Sequence, residues 1–192
     1  MLYNDIYKQS YNAFGNSPSS IVKKAAQLYL RTNHVGIFLD IGAGQGRDSF
    51  YMAGLGFKVE AIDSSDEACR QIEKTVSAKQ LDNIKVDSVD IKNFKIEKDK
   101  FNIISAVNVL HMLEKNTALG VIKMIKEMLP NDGLAVISIL ILKNGFREQE
   151  LLKIFEDFEV LYSFESAIKD KHPSQPEEHT HFVSRIIARK NI

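Results

Sequence analysis

The sequence has one cysteine, no excess of charge of either sign, and no long apolar run. The single cysteine, Cys69, excludes an internal disulfide framework and a zinc site built from several cysteines. The 25 lysines and arginines balance the 25 aspartates and glutamates, so the net charge favours neither nucleic acid nor an anionic membrane as partner. No apolar run approaches the ~20 residues that span a bilayer, and the first residues do not resemble a signal peptide. We therefore expect a cytoplasmic protein.

Residues 37–49, IFLDIGAGQGRDS, are the stretch around which the rest of the chain is organised. An apolar run that contains Asp40 is followed by glycine at every second position from 42 to 46. This pattern predicts a buried parallel strand, a tight turn and a helix that begins near Arg47. Glycine lets a ligand lie directly against the main chain, and a helix start directs free N–H groups into the same space. The stretch predicts a nucleotide-binding turn.

Segments of strand and helix character alternate along the chain. We predict further strands at residues 57–62, 83–89, 101–107, 134–142, 158–168 and 181–190, and helices at 49–55, 64–78, 118–129 and 146–155. The alternation predicts a parallel sheet with right-handed crossovers. The last two strands, separated by a polar loop at 169–180, predict an antiparallel hairpin at one edge. The predicted fold is α/β, with a seven-stranded, mostly parallel sheet and an antiparallel C-terminal hairpin.

Two predicted helices carry a cap signal at their start. Ser17 followed by Pro18 is typical of an N-cap and a first helical position. Ser64 with Glu67 three residues later is typical of a capping box. We predict a single domain at residues 17–192, preceded by an arm at residues 1–16.

The arm at residues 1–16 is rich in aromatic residues at helical spacing, namely Tyr3, Tyr7, Tyr11 and Phe14. One interpretation is a short helix that packs on the body of the domain. The other is a lid over the ligand site, with a tyrosine edge towards the substrate.

Polar residues stand at four predicted strand ends: Asp40, Asp63, Asp90 and Asn108. Ligands of open α/β sheets bind at the carboxyl ends of the strands, where the strand order reverses. Asp63 lies about twenty residues past the first glycine, where a carboxylate accepts both hydroxyls of a ribose. This pattern alone does not separate a dinucleotide site from an S-adenosylmethionine site.

Three features favour S-adenosylmethionine over a dinucleotide. Asp48 falls in the first turn of the predicted helix, where it would repel a pyrophosphate but tolerate a cationic sulfonium with an amino acid tail. Asp40 directly precedes the glycines, where a carboxylate can hold an ammonium group through water. The sequence also has no Tyr-x-x-x-Lys pair, the acid–base couple of the short-chain dehydrogenases.

Residues 39–49 resemble the first motif of the class I S-adenosylmethionine-dependent methyltransferases. Residues 46–49 and 55–63 are similar to the tellurite-resistance (TehB-type) branch of that class, and so are residues 146–151 and 185–190. The resemblance covers nearly the whole chain from residue 18. It implies a three-layer, Rossmann-like methyltransferase fold with S-adenosylmethionine as cofactor.

The resemblance also implies which residues hold the cofactor. They lie in the glycine turn and at the strand ends: Asp40, Gly42, Ala43 and Gly44 for the methionine end, Asp63 and Ser64 for the ribose, Asp90 and Ile91 for the adenine, and Val107 and Asn108 beside the sulfonium.

Histidines and one arginine are the candidate catalytic residues. His111 follows the fourth predicted strand and is either a general base for a neutral acceptor or a loop histidine that caps the next helix. His179 and His181 share a strand face and, with His172 and Arg185, bind either an anionic acceptor or a metal, or else belong to an exposed hairpin. We predict no metal site, because no carboxylate or cysteine spacing completes one.

The leading hypothesis is a methyltransferase whose acceptor is a small molecule, either a tellurite- or selenite-like oxyanion or a compact metabolite. The alternative is a nucleotide-binding module of the NAD(P) type, or a sensor, without methyl transfer. We expect no nucleic acid or membrane partner, and a monomer or homodimer.

Overall fold

The computed structural model describes residues 3–191 except 12, 96, 143–145 and 173–174; within strands, the side chains of 170–172, 175–176 and 179 are also outside the description. The helices are α1 (Tyr3–Gln9), α2 (Ser20–Tyr29), α3 (Arg47–Gly54), α4 (Asp66–Lys79), α5 (Lys115–Met128) and α6 (Glu148–Ile154). The strands are β1 (Ile37–Ile41), β2 (Lys58–Asp63), β3 (Ile84–Ser88), β4 (Ile103–Val107), β5 (Leu134–Leu140), β6 (Phe158–His172) and β7 (Gln175–Lys190). Within the described residues, no helix has the length and apolar character to cross a membrane.

The seven strands form one sheet in the order β3-β2-β1-β4-β5-β7-β6. Strands β1 to β5 are parallel, whereas β7 runs antiparallel to both β5 and β6. The predicted α/β fold with its antiparallel C-terminal hairpin is therefore confirmed. The strand order reverses between β1 and β4, so the ends of these two strands flank the crevice in which such sheets bind ligands.

The sheet is covered on both faces by apolar clusters. Phe38 of β1 packs with α2 and α3 on one face, whereas its neighbour Leu39 packs with α5 on the other. This alternation sets the direction of the polar strand ends. Asp40 of β1 pairs with Ala61 of β2, and Asp63 lies two residues after Ala61 on the same face of β2. Both carboxylates therefore project from the face that α2 and α3 cover.

Both predicted helix caps are wrong by a short distance. Helix α2 begins at Ser20 rather than at Ser17, and its N-cap Ser19 uses its side chain for Asp48 instead of for its own helix. Helix α4 is capped by Ser65, whose hydroxyl accepts from the Ala68 N–H, and not by Ser64. At each start an aspartate from outside the helix bonds the N-cap residue: Asp48 accepts from the N–H and hydroxyl of Ser19, and Asp63 accepts from the N–H of Ser65.

The predicted polar loop at 169–180 is also wrong. Strand β6 continues to His172 and β7 begins at Gln175, with Lys169 opposite Thr180. A two-stranded ribbon is held by backbone hydrogen bonds, so polar side chains on both faces do not end it. The other predicted elements are present with ends shifted by a few residues.

Candidate active site

The turn after β1 has a backbone conformation that requires glycine. Gly42 and Gly44 have φ angles of 70° and 54°. A Cβ atom on Gly42 would lie 2.6 Å from the side chain of Val109, and one on Gly44 would lie 2.9 Å from the hydroxyl of Tyr7. Side chains of the protein therefore lie against the main chain at both positions, and neither position has room for a Cβ atom.

Asp63 ties the end of β2 to this turn. Its Oδ2 accepts a hydrogen bond of 2.8 Å from the Gly44 N–H, and its Oδ1 accepts one of 2.9 Å from the Ser65 N–H. Burial raises the pKa of the Asp63 carboxyl, and the backbone hydrogen bonds oppose that shift. The carboxylate is thus positioned by main-chain groups.

Asp40 is a buried carboxylate held by two hydroxyls. Ser49 donates to one oxygen at 2.6 Å and Ser105 donates to the other at 2.7 Å. Burial, and then the nearby charge of Asp48, raise the pKa of Asp40 to about 6. Each oxygen of this buried carboxylate therefore has a hydroxyl donor, and the two bonds together fix its orientation.

Asp48 lies in the first turn of α3, as predicted. It accepts hydrogen bonds of 2.6 Å and 2.9 Å from the N–H and the hydroxyl of Ser19. Arg47 lies 3.9 Å from its Oδ2 and donates to the carbonyl of Phe14 at 3.3 Å.

A cavity of about 550 Å³ opens over the turn. It brings together eight of the predicted site residues: Asp40, Gly42, Ala43, Gly44, Val107, Asn108, His111 and His181. The predicted ribose and adenine contacts lie outside its lining. They are Asp63, Ser64, Asp90 and Ile91.

These outlying residues lie at the neighbouring strand ends. The Val89 N–H donates to the Asp63 carbonyl at 2.9 Å, which joins the end of β3 to that of β2. Asp90 is exposed and accepts from the Lys92 N–H, while Ile91 is buried beside it. Ser64 is exposed next to Asp63. The polar groups therefore continue along the sheet edge from the cavity.

Asn108 is held rigidly at the end of β4. Its φ angle of 53° is rare for a residue with a side chain. Its N–H donates to the carbonyl of Ser138 at 2.7 Å, and the Ser138 hydroxyl donates to its Oδ1 at 3.1 Å. The start of the loop that carries His111 is fixed in this way.

His111 is almost fully buried, with 6% of its surface exposed. Its Nδ1 is buried without a hydrogen-bond partner among the described residues. Burial, and then the proximity of His181, lower the pKa of His111 to about 4. Helix α5 has Glu114 as its N-cap, so the alternative in which His111 caps this helix is wrong.

Of the predicted cluster on the C-terminal hairpin, the structure describes the side chains of His181 and Arg185. His181 lines the cavity, whereas Arg185 donates to the hydroxyl of Ser166 at 3.0 Å and is outside the lining. The side chains of His172 and His179 lie outside the described residues. In the described part of the chain, no three histidine, cysteine, aspartate or glutamate side chains form a group that could hold a metal ion.

Sequence reasoning missed several residues of the site. Gln45 of the turn donates to the carbonyl of Ser10 at 2.6 Å and accepts from the Ala13 N–H at 2.8 Å, which ties the arm to the turn. Ser105 stands alone as a polar residue in an apolar strand, and that signal could have identified it. Gln45 carried no comparable signal.

Comparison with known proteins agrees with this geometry. A family model described as "Tellurite resistance protein TehB" matches residues 2–175. A curated Haemophilus influenzae protein, named "Probable S-adenosyl-L-methionine-dependent methyltransferase TehB", is 29% identical over 133 residues, which are 64% of this chain and 46% of that protein. The chain thus spans about half the length of the curated relatives it matches.

Two solved structures show the same fold. TehB from Haemophilus influenzae has a TM-score of 0.81 and 24% identity, over 98% of this chain and 67% of that one. The Burkholderia thailandensis 1,6-didemethyltoxoflavin-N1-methyltransferase has a TM-score of 0.65 and 20% identity, over 90% of this chain and 79% of that one. The fold is therefore the Rossmann-like methyltransferase fold that the resemblance implied. Since the family model matches nearly the whole sequence, the chain belongs to the TehB family of tellurite resistance proteins.

Proposed function

We propose that this chain is an S-adenosylmethionine-dependent methyltransferase that acts on a small molecule. The observation that carries the proposal is the hydrogen bond between the Gly44 N–H and the Asp63 carboxylate. Through this bond a carboxylate that would suit a ribose lies next to glycine backbone that would suit an amino acid tail, which supports the proposal. The name of the curated relatives, which specifies this methyl donor for them, supports the proposal.

The carboxylates of Asp40 and Asp48 in the cavity favour a cationic ligand over a pyrophosphate. Asp40 is buried, and the charge of Asp48 adds to the burial in raising its pKa. An ammonium or sulfonium group of a ligand would stabilise the ionised form of Asp40, because an opposite charge favours the ionised carboxylate. A pyrophosphate, which is negatively charged, would destabilise that form.

Each part of the cofactor has proposed partners at one strand end. The methionine end would contact Asp40, Gly42, Ala43 and Gly44, the ribose Asp63 and Ser64, the adenine Asp90 and Ile91, and the sulfonium region Val107 and Asn108. The cofactor would supply an electrophilic methyl group. The chain would orient it, because Asn108 is fixed by Ser138, and would exclude water with apolar side chains such as Leu140.

The acceptor would enter beside His111 and His181, which line the cavity past the end of β4. A tellurite- or selenite-like oxyanion and a compact metabolite are the two acceptor classes in question. His179 and Arg185 lie on the same hairpin strand as His181 and remain candidates for contacts with an anionic acceptor. We also propose that the protein is cytoplasmic and works as a monomer or homodimer.

Parallel calorimetric titrations with S-adenosylhomocysteine and NADH test the proposed cofactor. We expect saturable binding of S-adenosylhomocysteine and at least tenfold weaker binding of NADH. A preference for NADH would overturn the proposal and favour a dinucleotide-binding module. A turnover assay with S-adenosylmethionine, read by release of S-adenosylhomocysteine, extends the test from binding to reaction.

A further inference from the structure

The hydroxyl of Tyr7 lies against the glycine turn at the cavity. A Cβ atom on Gly44 would be 2.9 Å from the oxygen of this hydroxyl, and both residues line the cavity. No described residue accepts a hydrogen bond from the hydroxyl. Tyr7 is otherwise buried, and its ring packs against those of Tyr3 and Phe14, with ring centroids 6.2 and 6.1 Å away. The ring is therefore held in place, and its O–H group can donate to a ligand on the turn.

Polar contacts fix the N-terminal segment, which precedes α2, relative to the turn. Gln71 of α4 donates to the Tyr7 carbonyl at 2.8 Å. Gln45, within the turn itself, donates to the carbonyl of Ser10 at 2.6 Å and accepts from the Ala13 N–H at 2.8 Å. The two glutamines also bond each other at 2.6 Å. The folded domain thus sets the position of the Tyr7 hydroxyl.

Arg47 brings a positive charge to the same side of the cavity. Its side chain is 30% exposed, its Nη1 donates to the Phe14 carbonyl at 3.3 Å, and its Nε lies 3.9 Å from the Oδ2 of Asp48. A guanidinium carries five N–H groups, so these contacts leave donors for a ligand. Burial and then the charge of Asp63 raise the pKa of Tyr7, and the charge of Arg47 opposes that shift. Since Tyr7 also contacts Phe14, the two side chains act on the same space.

A hydroxyl donor and a guanidinium on one side of a cavity are suited to a carboxylate. The proposed cofactor carries one carboxylate, at the end of its amino acid tail. Asp40 is only an acceptor when ionised, so it suits the ammonium group of that tail rather than the carboxylate. The ribose hydroxyls are donors, and their proposed acceptor is Asp63. The tail carboxylate is therefore the part of the cofactor that Tyr7 and Arg47 fit best.

We propose that the Tyr7 hydroxyl and the Arg47 guanidinium bind the carboxylate of the cofactor's amino acid tail, which makes the N-terminal segment part of the cofactor site. This inference rests on the proposed methyltransferase function. Tyr7 donates a hydrogen bond and Arg47 supplies the opposite charge, while Asp40 holds the ammonium group. The tail is then fixed at both of its charged groups, and this orients the methyl group that the cofactor carries.

Two ligands that differ only in this carboxylate test the proposal. S-adenosylhomocysteine is compared with its decarboxylated analogue, which keeps the adenosine, the sulfur and the ammonium group. Calorimetry measures the first ligand directly and the analogue by displacement, so that weak binding is also measured. We expect the wild type to bind the analogue about tenfold more weakly, because bonds to a charged group are lost. Equal affinity for the two ligands would overturn the inference.

Variants of the two residues locate the effect. Tyr7→Phe removes only the hydroxyl, and we expect the affinity for S-adenosylhomocysteine to fall about tenfold while that for the analogue stays the same. Arg47→Met should show the same selective loss. Tyr11→Phe is the matched control, since Tyr11 belongs to the same segment but is 58% exposed and outside the lining. If either Tyr7→Phe or Arg47→Met weakens both ligands equally, or neither, the inference is overturned.

The two proposals fail in different ways. If the wild type binds S-adenosylhomocysteine but the variants do not distinguish the two ligands, the carboxylate assignment is overturned and the proposed cofactor stands. If the wild type does not bind S-adenosylhomocysteine, the proposed function itself is overturned.

Discussion

The Oδ2 of Asp63 accepts a hydrogen bond of 2.8 Å from the backbone N–H of Gly44. The two residues come from different parts of the chain, one at the end of β2 and the other in the turn after β1. Because β1 and β2 are parallel, with Ile41 opposite Ile62, their ends meet at the same edge of the sheet. The bond therefore fixes the carboxylate against the turn through backbone geometry.

Replacement of Asp63 by alanine should weaken binding of S-adenosylhomocysteine by tenfold to a hundredfold. The change removes a charged hydrogen-bond acceptor, and such bonds contribute about 1.5–3 kcal/mol. Calorimetry measures the dissociation constant. Asp82→Ala, at an exposed position outside the site, is the control and should bind like the wild type. An unchanged affinity in Asp63→Ala would contradict the ribose assignment.

Binding should depend on pH through Asp40, whose pKa burial raises to about 6. A ligand ammonium favours the ionised carboxylate, so affinity for S-adenosylhomocysteine should increase as the pH rises from 5 to 7.5. Asp40→Asn should remove this dependence as well as weakening the binding. Calorimetry across the pH range measures it, and a wild-type profile as flat as that of Asp40→Asn would count against the role of Asp40.

The raised pKa of Asp40 predicts that the ligand-free protein becomes less stable as the pH rises, whereas its affinity for the ligand increases. The reason is that a raised pKa means that the folded state favours the protonated form of Asp40. Its contribution to the free energy of unfolding is therefore complete below about pH 4 and is lost as the pH rises through 6, by up to about 3 kcal/mol. Urea denaturation measures the free energy of unfolding at pH 4.5 and at pH 7.5. Between these two pH values it should decrease less for Asp40→Asn than for the wild type, and equal decreases would contradict this.

Gly42→Ala should destabilise the fold by at least about 1–2 kcal/mol. The residue has a left-handed conformation, which costs this amount for a side chain, and the new Cβ would lie 2.6 Å from Val109. Gly54→Ala, in helix α3 with nothing within 4 Å of its Cβ, should be neutral or stabilising. Chemical denaturation compares the two, and similar stabilities would show that the turn tolerates other conformations.

Asn4→Ala should loosen the N-terminal segment. The side chain accepts hydrogen bonds from the Ser65 hydroxyl and from the Glu67 N–H, so its loss should speed amide hydrogen exchange in α1. If this segment covers the bound cofactor, release of S-adenosylhomocysteine should also be faster in stopped-flow experiments. Asn33→Ala, which removes only a local contact with Tyr29 and Thr32, is the control. Identical exchange in both variants would show that the anchor is dispensable.

The strand, turn and helix around residues 37–49 could be predicted because their signals are local. An apolar run, spaced glycines and the following helix each constrain the backbone over a few residues. The parallel sheet followed from the alternation of strands and helices, and the hairpin from the missing helix between the last two strands, whereas the strand order is known from the structure alone. The position of Asp40 next to the glycine turn could be predicted from the same local signals.

The rest depends on contacts between distant residues. Gln45 holds Ser10 and Ala13, which are more than thirty positions away, and nothing in its neighbourhood indicates this. Helix α2 begins at Ser20 rather than near Ser17, and its N-cap Ser19 bonds Asp48, which lies 29 positions away in the sequence. The length of the hairpin was underestimated because pairing between backbones, rather than the polarity of the side chains, determines it.

A crystal structure of the chain with S-adenosylhomocysteine tests the central claim most directly. We predict that the ribose hydroxyls lie within hydrogen-bond distance, about 2.7 Å, of the Asp63 carboxylate, with the amino acid tail between Asp40 and the backbone of Gly44. A ligand bound elsewhere, or with its ribose turned away from Asp63, would contradict it.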